Sequence, residues 1–172
     1  MAGKLVQVAT NTVTSAVASV SLVGIDTDDV YMVTVTDLVS ATDNQDLFFR
    51  VTASGVADTT SNYDKAVKIL RTDTSFTNSS ATNETAISDI RGGTSTGEKT
   101  QLLYYLYNFN NSSEFSFVTQ ESVAFDSGAK LAGFAGGGVH TVAQANDGIN
   151  FFYNSGNIAG GTFTLFRIVW YE

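Results

Sequence analysis

The 172-residue sequence contains no cysteine and no proline, and it has a single histidine, His140. The absence of cysteine excludes disulfide bonds, thiolate metal sites and a cysteine nucleophile. One histidine cannot supply a metal site built from several histidines. Charged residues account for only 15% of the chain, whereas hydrophobic residues account for 43% and aromatic residues for 12%. This composition excludes a disordered chain and a coiled coil, and the length suffices for one domain with a substantial core.

The few charged residues are mostly acidic. Asp and Glu number 17 against 9 Lys and Arg, which gives a formal net charge of −8. Because such a chain repels phosphate backbones, we expect no nucleic-acid partner. Polar residues, among them Gln7, Thr10 and Asn11, interrupt every apolar run near the N-terminus. We therefore expect no secretion signal, no membrane partner and synthesis in the cytoplasm.

Alternation of apolar and polar residues is the main local pattern, and it predicts β-strands. In residues 30–36, for example, Tyr31, Val33 and Val35 share one face. Similar segments recur between loops rich in Gly, Ser, Asn and Asp, at residues 17–23, 46–52, 101–107, 115–119, 139–142, 148–153 and 161–171. This spacing predicts an all-β protein, a single-domain antiparallel sandwich or barrel.

The remaining segments define the predicted domain organisation. Residues 1–15 are uncharged apart from Lys4 and the α-amino group. We interpret them either as an N-terminal arm that adds a strand to a neighbour's sheet edge or as the sandwich's own edge strand. Residues 16–172 are predicted to form the sandwich. Within it, residues 63–71 are the best helix candidate, although their β-branched residues make the pattern ambiguous, and residues 72–99 are predicted to form a long surface excursion.

No group of residues points to catalysis. His140 is not accompanied by the G-x-S-x-G turn of a serine hydrolase. Residues 26–29 begin like a calcium loop, but Val30 and Tyr31 stand where that pattern requires Asp or Asn and then Gly. We interpret them as a solvated acidic turn, with a calcium site completed by distant or neighbouring carboxylates as the alternative. The glycine-rich segment 133–138 lacks the lysine of a phosphate loop. We therefore expect no enzyme and no catalytic, cofactor-binding or metal-binding residues.

A cluster of tyrosines predicts a contact between subunits. Strand alternation places Tyr105 and Tyr107 on one face and Tyr104 on the other. Aromatic side chains bury large areas, in cores and interfaces alike. We predict that the cluster serves both the core and a subunit interface, and that Tyr105, Tyr107, Phe134 and His140 lie at the interface.

Several turn and packing motifs follow one another along the chain. They are D-x-Y at 29–31, D-N-x-x-L-x-x-R at 43–50, G-I-N-F at 148–151 and N-I-x-x-G-T-F-x-L at 157–165. In this order the motifs resemble those of small structural proteins of tailed-phage virions, over roughly residues 17–169. The chain departs from that family at Phe166, where Tyr is usual, and at Arg167, where Gly is usual.

The resemblance implies a jelly-roll-like β-sandwich that forms a homotrimer on the outer surface of a phage capsid, after synthesis in the bacterial cytoplasm. The implied function is that of a non-enzymatic capsid decoration (cement) protein, which binds the major capsid protein and stabilises the head shell. In residues 1–15 we predict capsid contacts at Lys4, Leu5, Val6 and Val8. The alternative is a tail- or head-fibre module that binds a host-surface glycan, and the location in the virion separates the two hypotheses.

Overall fold

The computed structural model of the protein describes residues 3–126 and 128–170 and places thirteen β-strands in them. The strands are β1 (Gly3–Val13), β2 (Ser19–Val23), β3 (Tyr31–Ser40), β4 (Gln45–Ala53), β5 (Val56–Ala57), β6 (Tyr63–Arg71), β7 (Thr77–Glu84), β8 (Ile87–Gly92), β9 (Thr100–Tyr107), β10 (Ser116–Phe125), β11 (Leu131–His140), β12 (Gly148–Tyr153) and β13 (Ile158–Trp170). Among the described residues, no helix is long and apolar enough to cross a membrane.

The strands form two sheets in which all the described strand pairs are antiparallel. The larger sheet has eight strands in the order β1-β13-β3-β9-β10-β11-β6-β7. The smaller sheet has the order β2-β12-β4-β5, and β8 also pairs with β4. The predicted all-β antiparallel sandwich is therefore confirmed. Jelly-roll connectivity is a finer statement, and it stays a prediction.

Aromatic rings from both sheets pack at the centre of the core. Phe49 and Phe151 belong to the smaller sheet, whereas Tyr104 and Phe163 belong to the larger one. The ring of Phe151 lies 6.2 Å from that of Phe49, 6.0 Å from that of Tyr104 and 5.4 Å from that of Phe163. All four side chains are almost completely buried. Phe151 thus packs against two rings of the opposite sheet.

The segment 63–71 forms β6 and not a helix. Its side chains alternate, with Tyr63 and Val67 buried between more accessible neighbours. Val67 and Ile69 are β-branched residues, which fit a pleated sheet better than a helix. The strand also gains hydrogen-bonded neighbours on both sides, since it lies between β11 and β7.

The prediction of a surface excursion at 72–99 is wrong for the part of that segment around β8. The segment contains β7, which is mostly exposed, and β8, which pairs with β4 in the smaller sheet. Ile87, Asp89 and Ile90 of β8 are buried. Ile87 and Ile90 are apolar anchors, and the buried carboxylate of Asp89 has partners on other strands, so the polar sequence around them does not prevent burial.

The N-terminal segment is an edge strand of its own sheet. Gly3 to Val13 pair with β13, and the register shifts between Gln7 and Ala9. Residues 1 and 2 lie outside the described part of the chain. The other edge of β1 has no neighbouring strand in the sheet order, so it presents backbone donors and acceptors to solvent.

Glycines in β11 allow a close approach between neighbouring strands. A Cβ atom at Gly133 or Gly137 would lie 2.5 Å from the carbonyl oxygen of Ser122 or Val118, respectively, on β10. The glycine-rich segment 133–138 is thus the interior of a strand and not a turn. A larger residue at either position requires the backbone of β10 to move.

Replacement of Phe151 by Ala should lower the free energy of unfolding by about 3–5 kcal/mol, because a buried aromatic ring leaves a cavity that the sheets fill only partly. Urea denaturation followed by circular dichroism measures the change. Val56 is 69% exposed, so Val56→Ala is the control and should change the stability by less than about 0.5 kcal/mol. An equal effect of both substitutions would contradict the described core.

Candidate functional site

The face of the larger sheet that points away from the smaller sheet is the first candidate site. We call it the outer face and define it by the outward side chains of β3, β9 and β10. These are Met32, Thr34, Thr36, Gln101, Leu103, Tyr105, Tyr107, Phe117, Thr119, Glu121, Val123 and Phe125. Glu121 is the one charged residue in this set.

Strand alternation separates the tyrosines of β9 as the sequence predicts. Tyr104 is fully buried against the smaller sheet, and Tyr105 and Tyr107 lie half-buried on the outer face. In the register of the sheet, Met32 lies opposite Tyr105, and Phe117 lies opposite Tyr107. Side chains opposite each other on one face of a sheet are in contact range, so these four form an aromatic and sulfur-containing cluster.

The outer face exposes several large apolar side chains. Phe117 is 45% exposed, Val123 is 41% exposed and Phe125 is 43% exposed. Leu131 continues the patch on β11, opposite Phe125. Contiguous exposed apolar surface of this kind marks a site of protein–protein contact.

Shallow depressions flank the aromatic cluster. One, of about 590 Å³, is lined by Thr34, Leu103 and Val123 among others. A second, of about 580 Å³, lies where Ala66 and Gly137 leave space beside larger side chains. The outer face therefore combines protruding rings with recesses that accept apolar groups.

The predicted subunit interface is corrected for two of its four residues. Tyr105 and Tyr107 belong to the outer face, as described. His140 is buried within the chain, so it does not reach a partner subunit. Phe134 points to the opposite side of the larger sheet, where its ring packs against the core and lies 5.4 Å from Nζ of Lys65.

The side chain of His140 lies in a small polar cluster beneath β6. Its Nε2 is 3.1 Å from Oδ2 of Asp58, and its Nδ1 has no hydrogen-bond partner among the described residues. The ring packs against Tyr63 with 4.8 Å between centroids. Burial lowers the pKa of His140, and the carboxylate of Asp58 opposes this shift. Hydrogen bonds from Thr60, together with His140, hold the pKa of Asp58 low against the opposing effect of burial.

A second buried carboxylate, Asp89, was not predicted from the sequence. Tyr104 donates its hydroxyl to Oδ2, and Gln120 donates from Nε2 to the same oxygen at 3.0 Å. Ser122 Oγ and the backbone N–H of Ile90 donate to Oδ1, each at 2.5 Å. Four donors on β8, β9 and β10 thus converge on one side chain that has no contact with solvent.

Burial raises the pKa of Asp89, and its four hydrogen bonds oppose that shift. The pKa of Tyr104 is also raised, by burial and by the neighbouring carboxylate. No local pattern identifies this cluster, since its members lie on separate strands. The only sequence feature available is that polar residues occupy the inward positions of β10 at Gln120 and Ser122.

The predicted capsid-contact residues all lie on β1. Leu5 is 51% exposed and Val6 is 37% exposed. Lys4 is exposed as well, whereas Val8 is partly buried and packs against the core. The exposed side chains of Leu5 and Val6 thus lie on β1, the strand whose outer edge has no neighbour in the described sheet.

The acidic turn at residues 26–29 is held by neighbouring side chains. Arg167 Nη2 lies 2.6 Å from Oδ2 of Asp29, which also accepts a 2.7 Å hydrogen bond from Thr27. Asn111 donates to Asp28 at 2.9 Å. In the part of the chain that the structure describes, no three His, Asp or Glu side chains come together as a metal-binding group. Arg167, which is unusual for the family that the sequence resembles, therefore joins β13 to this turn through an ion pair.

Comparison with known proteins gives no match: no family model, no curated protein and no solved structure is similar to this chain.

The buried histidine should make stability depend on pH. Because the pKa of His140 is lowered from 6.5 by folding, the unfolded chain takes up a proton below that pH while the folded chain does not. Burial of the neutral imidazole therefore does not lower the free energy of unfolding above pH 6.5. Below pH 6.5 the free energy of unfolding decreases as the pH falls toward the folded-state pKa. We expect the wild type to lose stability relative to His140→Gln as the pH falls below 6.5. Chemical denaturation at several pH values measures this difference, and a constant difference would contradict the assignment.

Proposed function

We propose that the protein is a non-enzymatic structural component of a tailed-phage virion, a capsid decoration protein that stabilises the head shell. The observation that carries this proposal is the outer face, an apolar sheet surface with a single charged residue among its twelve defining positions. A surface of this kind serves assembly, and the sequence resemblance to virion proteins supplies the type of assembly.

The partner of the outer face is a second copy of this chain, within a homotrimer. Glu121 and Lys68 support this choice, because both point outward and are separated by Ala135 on the strand between them. Within one chain, Glu121 and Lys68 lie two strand spacings apart, roughly 10 Å. In the homotrimer, Lys68 of one copy pairs with Glu121 of the next copy, and the exposed rings of one copy fill the recesses of another. Closed symmetric assembly then removes the apolar surface from water.

The contact with the major capsid protein is assigned to β1. Its free edge offers unpaired backbone groups, which bind an extended segment of another protein by strand addition. Leu5 and Val6 add apolar contact area beside this edge. Val8 contributes by holding the strand on the core rather than by contacting the partner.

A charge on the outer face should dissociate the homotrimer. Val123→Lys places an ammonium group within the proposed interface, where burial without a partner is unfavourable. Val23 on β2 is a matched control, because both valines are 41% exposed on strands, and Val23→Lys should leave the assembly intact. Analytical ultracentrifugation measures the mass. A monomeric wild type, or a trimeric Val123→Lys variant, would contradict the role of the outer face.

Acidic substitutions on β1 should abolish capsid binding without changing the mass of the trimer. The double variant Leu5→Asp, Val6→Asp is compared with Val56→Asp, whose valine lies on β5 and is 69% exposed. Each protein is added to phage capsids that lack it, and cryo-electron microscopy measures the occupancy of the shell. Unchanged occupancy of the double variant would overturn the assignment to β1. Localisation of the wild type to the tail alone would overturn decoration and favour the glycan-binding fibre module.

A further inference from the structure

A polar cavity lies on the inner side of the larger sheet, away from the outer face. Its volume is about 380 Å³, within the range of small-molecule sites. Residues of β6, β8 and β11 form most of its walls, and the start of β4 closes one side. Three cationic side chains line it, Lys65, Arg71 and Arg91, although the whole chain has only 9 Lys and Arg. The cavity therefore holds an unusually large share of the cationic side chains of an acidic protein.

Two of the three cations are neutralised by ion pairs. Arg91 Nε lies 2.7 Å from Oδ1 of Asp46, and Arg71 Nη1 lies 3.0 Å from Oδ2 of Asp126. Nε and Nη2 of Arg71 also donate hydrogen bonds to Asp73, at 2.9 Å and 3.2 Å. Asp46 and Asp126 line the cavity. Each pair fixes N–H donors beside carboxylate acceptors on a cavity wall, and this combination binds the hydroxyl groups of a polyol, which both donate and accept.

Lys65 differs from the two arginines. Its ammonium group donates a 2.6 Å hydrogen bond to Ser88 Oγ and lies 5.4 Å from the ring centroid of Phe134. Among the described residues, no carboxylate lies within ion-pair distance of it. The carboxylate of Asp89, which also lines the cavity, is already occupied by four donors. Lys65 therefore retains donors and a positive charge for an anionic group of a ligand.

The rest of the lining is amphipathic. Ile69, Ala132 and Phe134 supply apolar surface, and Thr77, Ser79 and Ser88 supply hydroxyl groups. A sugar ring has the complementary character, since its C–H face is apolar and its rim carries hydroxyls. An acidic sugar adds a carboxylate, which matches the cation that lacks an ion pair.

We propose that this cavity binds a carboxylated sugar of the uronic-acid type. The ligand carboxylate pairs with Nζ of Lys65, and the ring hydroxyls bind the Arg91–Asp46 and Arg71–Asp126 pairs. This inference goes beyond capsid decoration and does not depend on it, because the cavity and the outer face lie on opposite sides of the larger sheet.

Isothermal titration of the purified full chain with glucuronate tests the proposal, with glucose and acetate as comparison probes. Glucuronate should bind saturably and at least about tenfold more tightly than either, because glucose lacks the carboxylate and acetate lacks the ring hydroxyls. No saturable binding, equal binding of glucose, or equal binding of acetate would each overturn it. Binding is measured on the isolated protein, so its failure is distinct from a failure of self-association or of decoration.

Two substitutions assign the binding to Lys65. Lys65→Met keeps most of the side-chain length but removes the charge, and it should weaken glucuronate binding at least about tenfold. The side chain of Lys99 is 42% exposed, pairs with Asp37 and lies outside the cavity lining, so Lys99→Met is the control and should bind as the wild type does. Circular dichroism checks that both variants fold. Wild-type affinity in Lys65→Met, or an equal loss in Lys99→Met, would overturn the assignment.

Discussion

The packing of Phe151 against Tyr104 and Phe163 joins two sheets of unequal width, and this inequality shapes the rest of the molecule. Hydrophobic burial at the seam stabilises the sandwich, but a five-stranded sheet covers only one side of an eight-stranded one. The uncovered side becomes the outer face. On the covered side, the polar cavity lies where β8 of the smaller sheet faces β6 and β11. The two proposed sites therefore lie on opposite sides of the larger sheet.

The sandwich is stabilised by buried polar contacts as well as by the aromatic rings packed between its sheets. Asp89 gathers donors from Tyr104, Gln120 and Ser122, and so ties β8 to two strands of the opposite sheet. Removing Asp89 would leave the buried hydroxyl of Tyr104 without this acceptor, which costs more than the net gain from the bond it made. A network of this kind discriminates against shifted registers, because a slip of one residue turns Gln120 and Ser122 toward solvent.

Most of the strands were predictable because alternation is a local signal. Tyr104 and Tyr105 were assigned to opposite faces from their positions alone, as the structure has them. The burial of β8 was not predictable, since Asp89 is accommodated only by residues far along the chain. His140 was misplaced for the same reason: its neighbours Asp58 and Tyr63 are remote in sequence. The cavity around Lys65 is lined by residues from five strands, and no local sequence pattern predicts that these residues lie together.

The pairing of β1 with β13 has a consequence for biosynthesis. The hydroxyl of Thr10 bonds the carbonyl of Phe163, across a sequence separation of 153 residues. A ribosome therefore releases β1 long before its partner strand exists, and the apolar Leu5 and Val6 remain in an unpaired segment until β13 has been made. Contacts so distant in sequence slow folding and lengthen exposure to aggregation. Closure of the larger sheet must wait until β13 has left the exit tunnel.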